Sequence, residues 1–269
     1  MSYQAVHQLL EELKLLGFEQ QLDAKVEEWS RQPTDVMSLL QQLLQEEKNH
    51  RVLKGVKYRT RYAGFPFPKT LQDFDFSFQP GIDAKQIQQL GSLKFLYNHE
   101  NVIFLGPPGV GKSHLATGLG MRAAEEGKKP YFANALALVD RLKTAFSNYR
   151  LDTTMKFFRS VDLLIIDELG YLPLDMEGAK FLFELISSRY EKGSIIITSN
   201  RSFTDWDKIF SDSVIATAIL DRLLHHSHIV NIRGKSYRLK EKQKAGLWDS
   251  EPHKNLGETS HFWVLPQLA

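Results

Sequence analysis

"NVIFLGPPGVGKSHL", residues 101–115, decides the fold. An uninterrupted apolar run, Val102 to Leu105, leads into a loop with Gly106, Gly109 and Gly111, and the loop gives way to a helical pattern. The spacing is Gly106, four residues, then Gly111, Lys112 and Ser113. Glycines let a backbone turn tightly and aim successive N–H groups at an anion. The N-terminal end of the following helix adds positive potential. Lys112 would neutralise outer phosphates, and the Ser113 hydroxyl would ligate Mg²⁺. Strand, loop and helix together read as a site for a nucleoside triphosphate, formed by Gly106, Pro107, Pro108, Gly109, Val110, Gly111, Lys112, Ser113 and His114.

Downstream, buried strands alternate with helices. "PYFAN" (130–134), "DLLIIDE" (162–168), "SIIITSN" (194–200) and "HIVNI" (228–232) read as strands. Helices are expected over about 112–126, 136–146 and 176–191, and in "AILDRLLHH". Continuous apolar runs fit parallel strands covered on both faces. Asp167 ends one such run, where a carboxylate can serve Mg²⁺. Glu168 follows as a candidate general base for an attacking water, or as a solvated strand-end acid. Asn200 ends the next strand and can face the same crevice, or simply turn the chain. Arg222 stands either beside Asp221 as an ion pair or as a finger reaching a neighbouring subunit's phosphates.

Residues 1–63 carry helical periodicity instead. Val6, Leu9, Leu10, Leu13 and Leu16 mark a first helix with Gly17 as its stop, and Phe18, Leu22, Val26 and Trp29 a second. Thr34 is the expected N-cap of a third, which runs from Val36 towards Tyr62. "AGFPFPK" then ends helix formation. From Lys48 to Lys69 there are seven Lys or Arg and no acid, in a chain of net charge +2. Lys48, Arg51, Lys54 and Lys57 form a drifting helical stripe, which Arg59, Arg61, Tyr58 and Tyr62 extend. Such a stripe suits phosphate contacts to DNA without base reading, or is a solvated helix face. Arg141 and Lys143, with Arg150 beyond, read as ordinary surface charge on the helix after "PYFAN".

The 269 residues are 42% apolar and 25% charged, ordinary for a soluble globular protein. Without cysteine there is no disulfide and no thiolate metal site. The acid-bearing N-terminus does not read as a signal peptide, and no apolar run is long enough to span a bilayer, so a cytoplasmic protein without membrane attachment is expected. His225, His226 and His228 lie close together without a nearby carboxylate in sequence, and no zinc site is expected.

"GPPGVGKSHL", "LLIIDELGYLP", "IIITSNRSF", "ILDRLLHHSHIVNIRGKSYRLK" and "FPFPKTLQDFDF" together resemble the IstB group of AAA+ ATPases, transposition helpers of bacterial insertion sequences related to the DnaC/DnaI helicase loaders. The resemblance runs from the N-terminal helices to about residue 245. It implies an α/β P-loop core with a five-stranded parallel sheet, a small helical N-terminal domain (1–68), an ATPase domain (69–246) with little or no lid, and a loose tail (247–269). It implies that Gly106–Ser113 are Walker A, Asp167 and Glu168 Walker B, Asn200 sensor 1, Arg222 a trans-acting arginine finger, and Arg238 a sensor 2 arginine on a short C-terminal helix. Related initiator-type AAA+ proteins contact DNA from the region that holds Arg141, Lys143 and Arg150, so the resemblance makes these a second candidate for DNA contact. The expected function is an ATPase that uses ATP and Mg²⁺, forms homo-oligomers on double-stranded DNA and assists the transposase of its own insertion sequence. A helicase loader is the alternative. A small-molecule kinase is disfavoured by Glu168, Asn200 and Arg222.

Overall fold

Each apolar run of the C-terminal two-thirds becomes a strand in the computed structural model, which describes residues 3–244. The strands are β1 (Asn101–Leu105), β2 (Pro130–Asn134), β3 (Leu163–Leu169), β4 (Ser194–Ser199) and β5 (Ser227–Asn231). They form one sheet in the order β2-β3-β4-β1-β5, with every neighbouring pair parallel. β1 and β4 are buried along their whole length. Side chains alternate between faces, so β3 sends Leu164 and Ile166 into one core and Leu163 and Ile165 into the other.

The first core is covered by α7 (Ala135–Ser147), α8 (Leu151–Ser160), α9 (Met176–Arg189), α10 (Asp207–Phe210) and α11 (Ser213–Leu224). The second lies under α6 (Lys112–Glu125), with α4 (Ala84–Gly91) and α5 (Lys94–Tyr97) beside it. Arg189 closes one end of the sheet. It is 2% exposed, and its guanidinium donates to the carbonyl oxygens of Phe158, Val161, Asp162 and Ser194. Burial lowers its pKa to about 10. After β5 only α12 (Tyr237–Lys244) follows among the described residues. The expected loose tail lies outside them.

The N-terminal region is helical, with boundaries that differ from expectation. α1 spans Tyr3–Glu12, α2 Leu16–Arg31 and α3 Val36–Ala63, meeting around Leu10, Leu22 and Leu43. Gly17 does not stop the first helix; it lies in the first turn of α2. A Cβ there would stand 2.5 Å from Cβ of His50, so the glycine permits close approach to α3. The backbone N–H of Gly17 donates to the buried Glu47 carboxylate at 2.7 Å. The N-cap of α3 is Asp35 rather than Thr34, because the Asp35 carboxylate accepts from Ser38 N at 3.2 Å.

The basic half of α3 lies against α6 and β2. Gly64 ends α3 in the left-handed conformation, φ 70°. The chain then runs as a strap across the second core, with Phe65 packed on Phe132.

Candidate functional site

The sheet order reverses beside β1, and the loop leaving β1 opens into a crevice at the strands' carboxyl ends. Gly111 holds φ 100°, and a Cβ there would stand 2.5 Å from the Phe74 ring. Only glycine fits this position. Lys112 begins α6 and is 6% exposed. Its Nζ donates to the carbonyl oxygens of Gly106 (2.7 Å) and Pro107 (2.8 Å). Burial lowers its pKa to about 8, which Asp167 opposes and Arg238 reinforces.

Three neighbouring strands contribute their terminal residues. Ser113 Oγ donates to Asp167 Oδ1 at 2.8 Å, and Thr198 Oγ1 donates to the same oxygen at 2.5 Å. Thr198 Oγ1 also accepts from the backbone N–H of Glu168 at 2.9 Å. Glu168 has φ 61°, and its Oε2 accepts from Asn134 Nδ2 at 2.8 Å. The adjacent hydroxyl and carboxylate of Ser113 and Asp167 are the hard oxygen donors that Mg²⁺ prefers, so these residues fit that ion.

A cavity of about 320 Å³ spreads in front of this network. One wall is the loop from Gly109 to His114, with Glu168 and Thr198. The strap supplies the opposite wall through Phe67, Lys69, Phe74 and Gln79, and Tyr237 and Arg238 reach it from α12. His114 Nε2 lies 2.8 Å from the Thr70 carbonyl oxygen, which ties strap to loop. Burial holds the His114 pKa below the ordinary imidazole value.

The fold thus gathers Gly109 to His114, Glu168 and Arg238 around the cavity, with Gly106 behind them, its carbonyl accepting from Lys112, and Asp167 joined to them through Ser113 and Thr198. Pro107 and Pro108 are exposed and do not line the cavity. Asn200 stands just past β4 and does not line it either; its Oδ1 is buried without a hydrogen-bond partner among the described residues. The strand-end group that meets Asp167 is Thr198, two residues earlier. Arg222 is remote from its own chain's cavity. Its Nη1 donates to the Ala218 carbonyl at 2.9 Å, and its guanidinium lies 4.8 Å from the Phe183 ring. It makes no ion pair with Asp221 among the described residues.

The basic candidates divide. Lys48, Lys54, Lys57 and Arg61 are exposed on α3, and the Tyr58 and Tyr62 rings adjoin at 4.6 Å. Arg51 pairs with Glu47 at 2.5 Å, and Arg59 Nε donates to the Ala124 carbonyl on α6 at 2.7 Å. Arg141 lies over the rings of Phe157 and Phe158, at 5.0 Å from each, and donates to the Tyr131 hydroxyl. Lys143 pairs with Asp175 at 2.6 Å. Arg150 is exposed.

Sequence reasoning missed Asn134, Thr198 and the strap's aromatic wall. "PYFAN" and "TSN" carried the signals for the first two, a polar residue at a strand's carboxyl end.

A family model described as IstB-like ATP binding protein matches residues 8–245. The chain is 46% identical over 239 residues to an insertion sequence IS21 protein of Pseudomonas aeruginosa named for ATP binding, covering 89% of this chain and 90% of that one. It is 42% identical over 238 residues to the corresponding IS5376 protein of Geobacillus stearothermophilus, covering 88% and 95%. Among solved structures, the replication initiator DnaA bound to AMPPCP and single-stranded DNA aligns with TM-score 0.54 at 19% identity, over 70% of this chain and 58% of that one. DnaI aligns with TM-score 0.54 at 17% identity, over 62% and 92%. These two likenesses are of fold.

Proposed function

The chain belongs to the IstB-like ATP-binding family of insertion sequences, and from that premise we propose that it is a Mg²⁺-dependent ATPase that assembles on duplex DNA and assists its element's transposase. The observation that carries the ATPase reading is the joined network of Ser113, Asp167, Thr198 and Glu168 beside the glycine loop. Lys112 gives up its loop carbonyls for the outer phosphates. Ser113 and Asp167 would hold Mg²⁺, which would supply positive charge against that of the phosphates. Glu168, released from Asn134, takes a proton from the attacking water. Arg238 steadies the nucleotide from α12, and Asn200, whose buried Oδ1 has no partner among the described residues, turns into the cavity to assist in placing that water.

Arg222 is remote from its own cavity and serves that of a neighbouring copy, so ATP joins subunits and hydrolysis loosens them. An assembly in the cytoplasm repeats the basic face of α3 along the phosphate backbone, with Lys48, Lys54, Lys57 and Arg61 as its exposed charges. No helix among the described residues is long and apolar enough to cross a membrane.

The test is anisotropy of a labelled random-sequence duplex with and without ATP and Mg²⁺, alongside phosphate release. Tight binding only with ATP is expected, and Glu168→Gln should keep that binding while losing at least about 100-fold in turnover. No duplex binding in either condition would overturn the DNA reading and point to a protein partner such as a helicase. Parental turnover in Glu168→Gln would remove Glu168 as the base.

A further inference from the structure

His225, His226 and His228 follow one another in sequence with no carboxylate beside them, yet the fold brings one from elsewhere. α11 ends at Leu224, and His225 continues in helical geometry before the chain enters β5. The rings of His225 and His226 lie side by side, 4.0 Å between centroids. Glu191 reaches them from the turn after α9, where it holds φ 57°. One donor atom from each of Glu191, His225 and His226 falls within 4.8 Å of the others. Among the described residues this is the one such group of three metal-ligating side chains.

We propose that Glu191, His225 and His226 form a binding site for a divalent transition metal of the zinc class. Two imidazoles and one carboxylate suit Zn²⁺ and its later first-row neighbours, not Mg²⁺ or Ca²⁺, which prefer oxygen. With bonds of about 2.0–2.1 Å, tetrahedral ligand atoms sit roughly 3.3 Å apart. The His226 Nε2 to Glu191 Oε1 separation is already 3.8 Å. His226 and Glu191 are 51% and 57% exposed, which leaves both side chains room to turn toward a shared ion. The same exposure lets water complete a fourth position. The Tyr190 hydroxyl lies 2.7 Å from Nδ1 of His225 and fixes the plane of that ring, the kind of outer-shell contact that aligns metal-binding imidazoles. His228 is not part of the group, since its Nε2 lies 2.7 Å from Glu100. A bound ion would tie the end of α9 to the end of α11, one turn beyond Arg222. The site is separate from the nucleotide cavity and does not depend on its function.

The test titrates untagged full-length protein with zinc chloride against a chromogenic chelator, and follows the thermal unfolding midpoint with and without zinc. One Zn²⁺ per chain is expected, with a rise in the midpoint. His226→Ala and Glu191→Gln should abolish both effects, and Tyr190→Phe should weaken binding about tenfold. His228→Ala should bind as the parent does. Absence of saturable binding, or equal binding by Glu191→Gln and the parent, overturns the proposal.

Discussion

Lys112 rests its ammonium on the carbonyl oxygens of its own loop, and its pKa of about 8 makes the site sensitive to alkali. Above that pH the free site has lost a proton that phosphate binding must restore. ATP affinity should therefore be flat below pH 8 and fall by up to about tenfold per pH unit above it. Lys112→Arg, which stays charged, should bind without that fall; titrations at pH 7 and 9.5 check both. Thr198→Val keeps the shape of its side chain but withdraws the hydroxyl from Asp167 and leaves the Glu168 N–H unpaired. Stability should drop by about 1–3 kcal/mol in denaturant titration, and turnover should fall more than nucleotide affinity. Asp167 and Glu168 were readable because an apolar run ended in two acids. Thr198 was not, because its place opposite them depends on a register shift between β3 and β4 near Ile166 and Leu169. Pairing register is a property of two strands together, and no single segment encodes it.

At the scale of elements, α3 carries two kinds of cation. Arg59 binds a carbonyl of α6 and belongs to the packing, whereas Lys54, Lys57 and Arg61 face solvent. Replacing those three with Ala should weaken duplex binding and flatten its salt dependence by roughly 0.9 per lost phosphate contact, read from log–log salt titrations. Arg59→Ala should instead leave the salt slope unchanged and cost about 1 kcal/mol of stability. The periodicity of α3 was legible almost to its last residue. Its partners were not: the stripe looked uniform until the fold set Arg51 against Glu47 and Arg59 against Ala124. Gly17 misled for a related reason. A glycine after an apolar run usually ends a helix, but here it serves a contact with His50, 33 positions away in sequence.

At the scale of the whole molecule, Arg222 and Glu168 belong to different ends of the fold, which permits a test of shared sites. Arg222→Ala and Glu168→Gln should each be nearly inactive alone. Mixed, they should regain a measurable fraction of parental phosphate release, because some junctions then join an intact Glu168 to an intact Arg222. Two inactive variants that stay inactive when mixed would return Arg222 to a structural role on α11. α3 ends at Gly64, and the chain passes directly into the strap that walls the nucleotide cavity. A helix of 28 residues is about 42 Å long. Tilting its base by about 5° would sweep its far end through roughly 4 Å. The helical cap of α1 and α2, seated on the first half of α3 through Leu43, Glu47 and His50, is therefore joined by one unbroken helix to the strap that reaches the cavity at Phe67, and a small tilt of that helix moves the cap by more than it moves the strap.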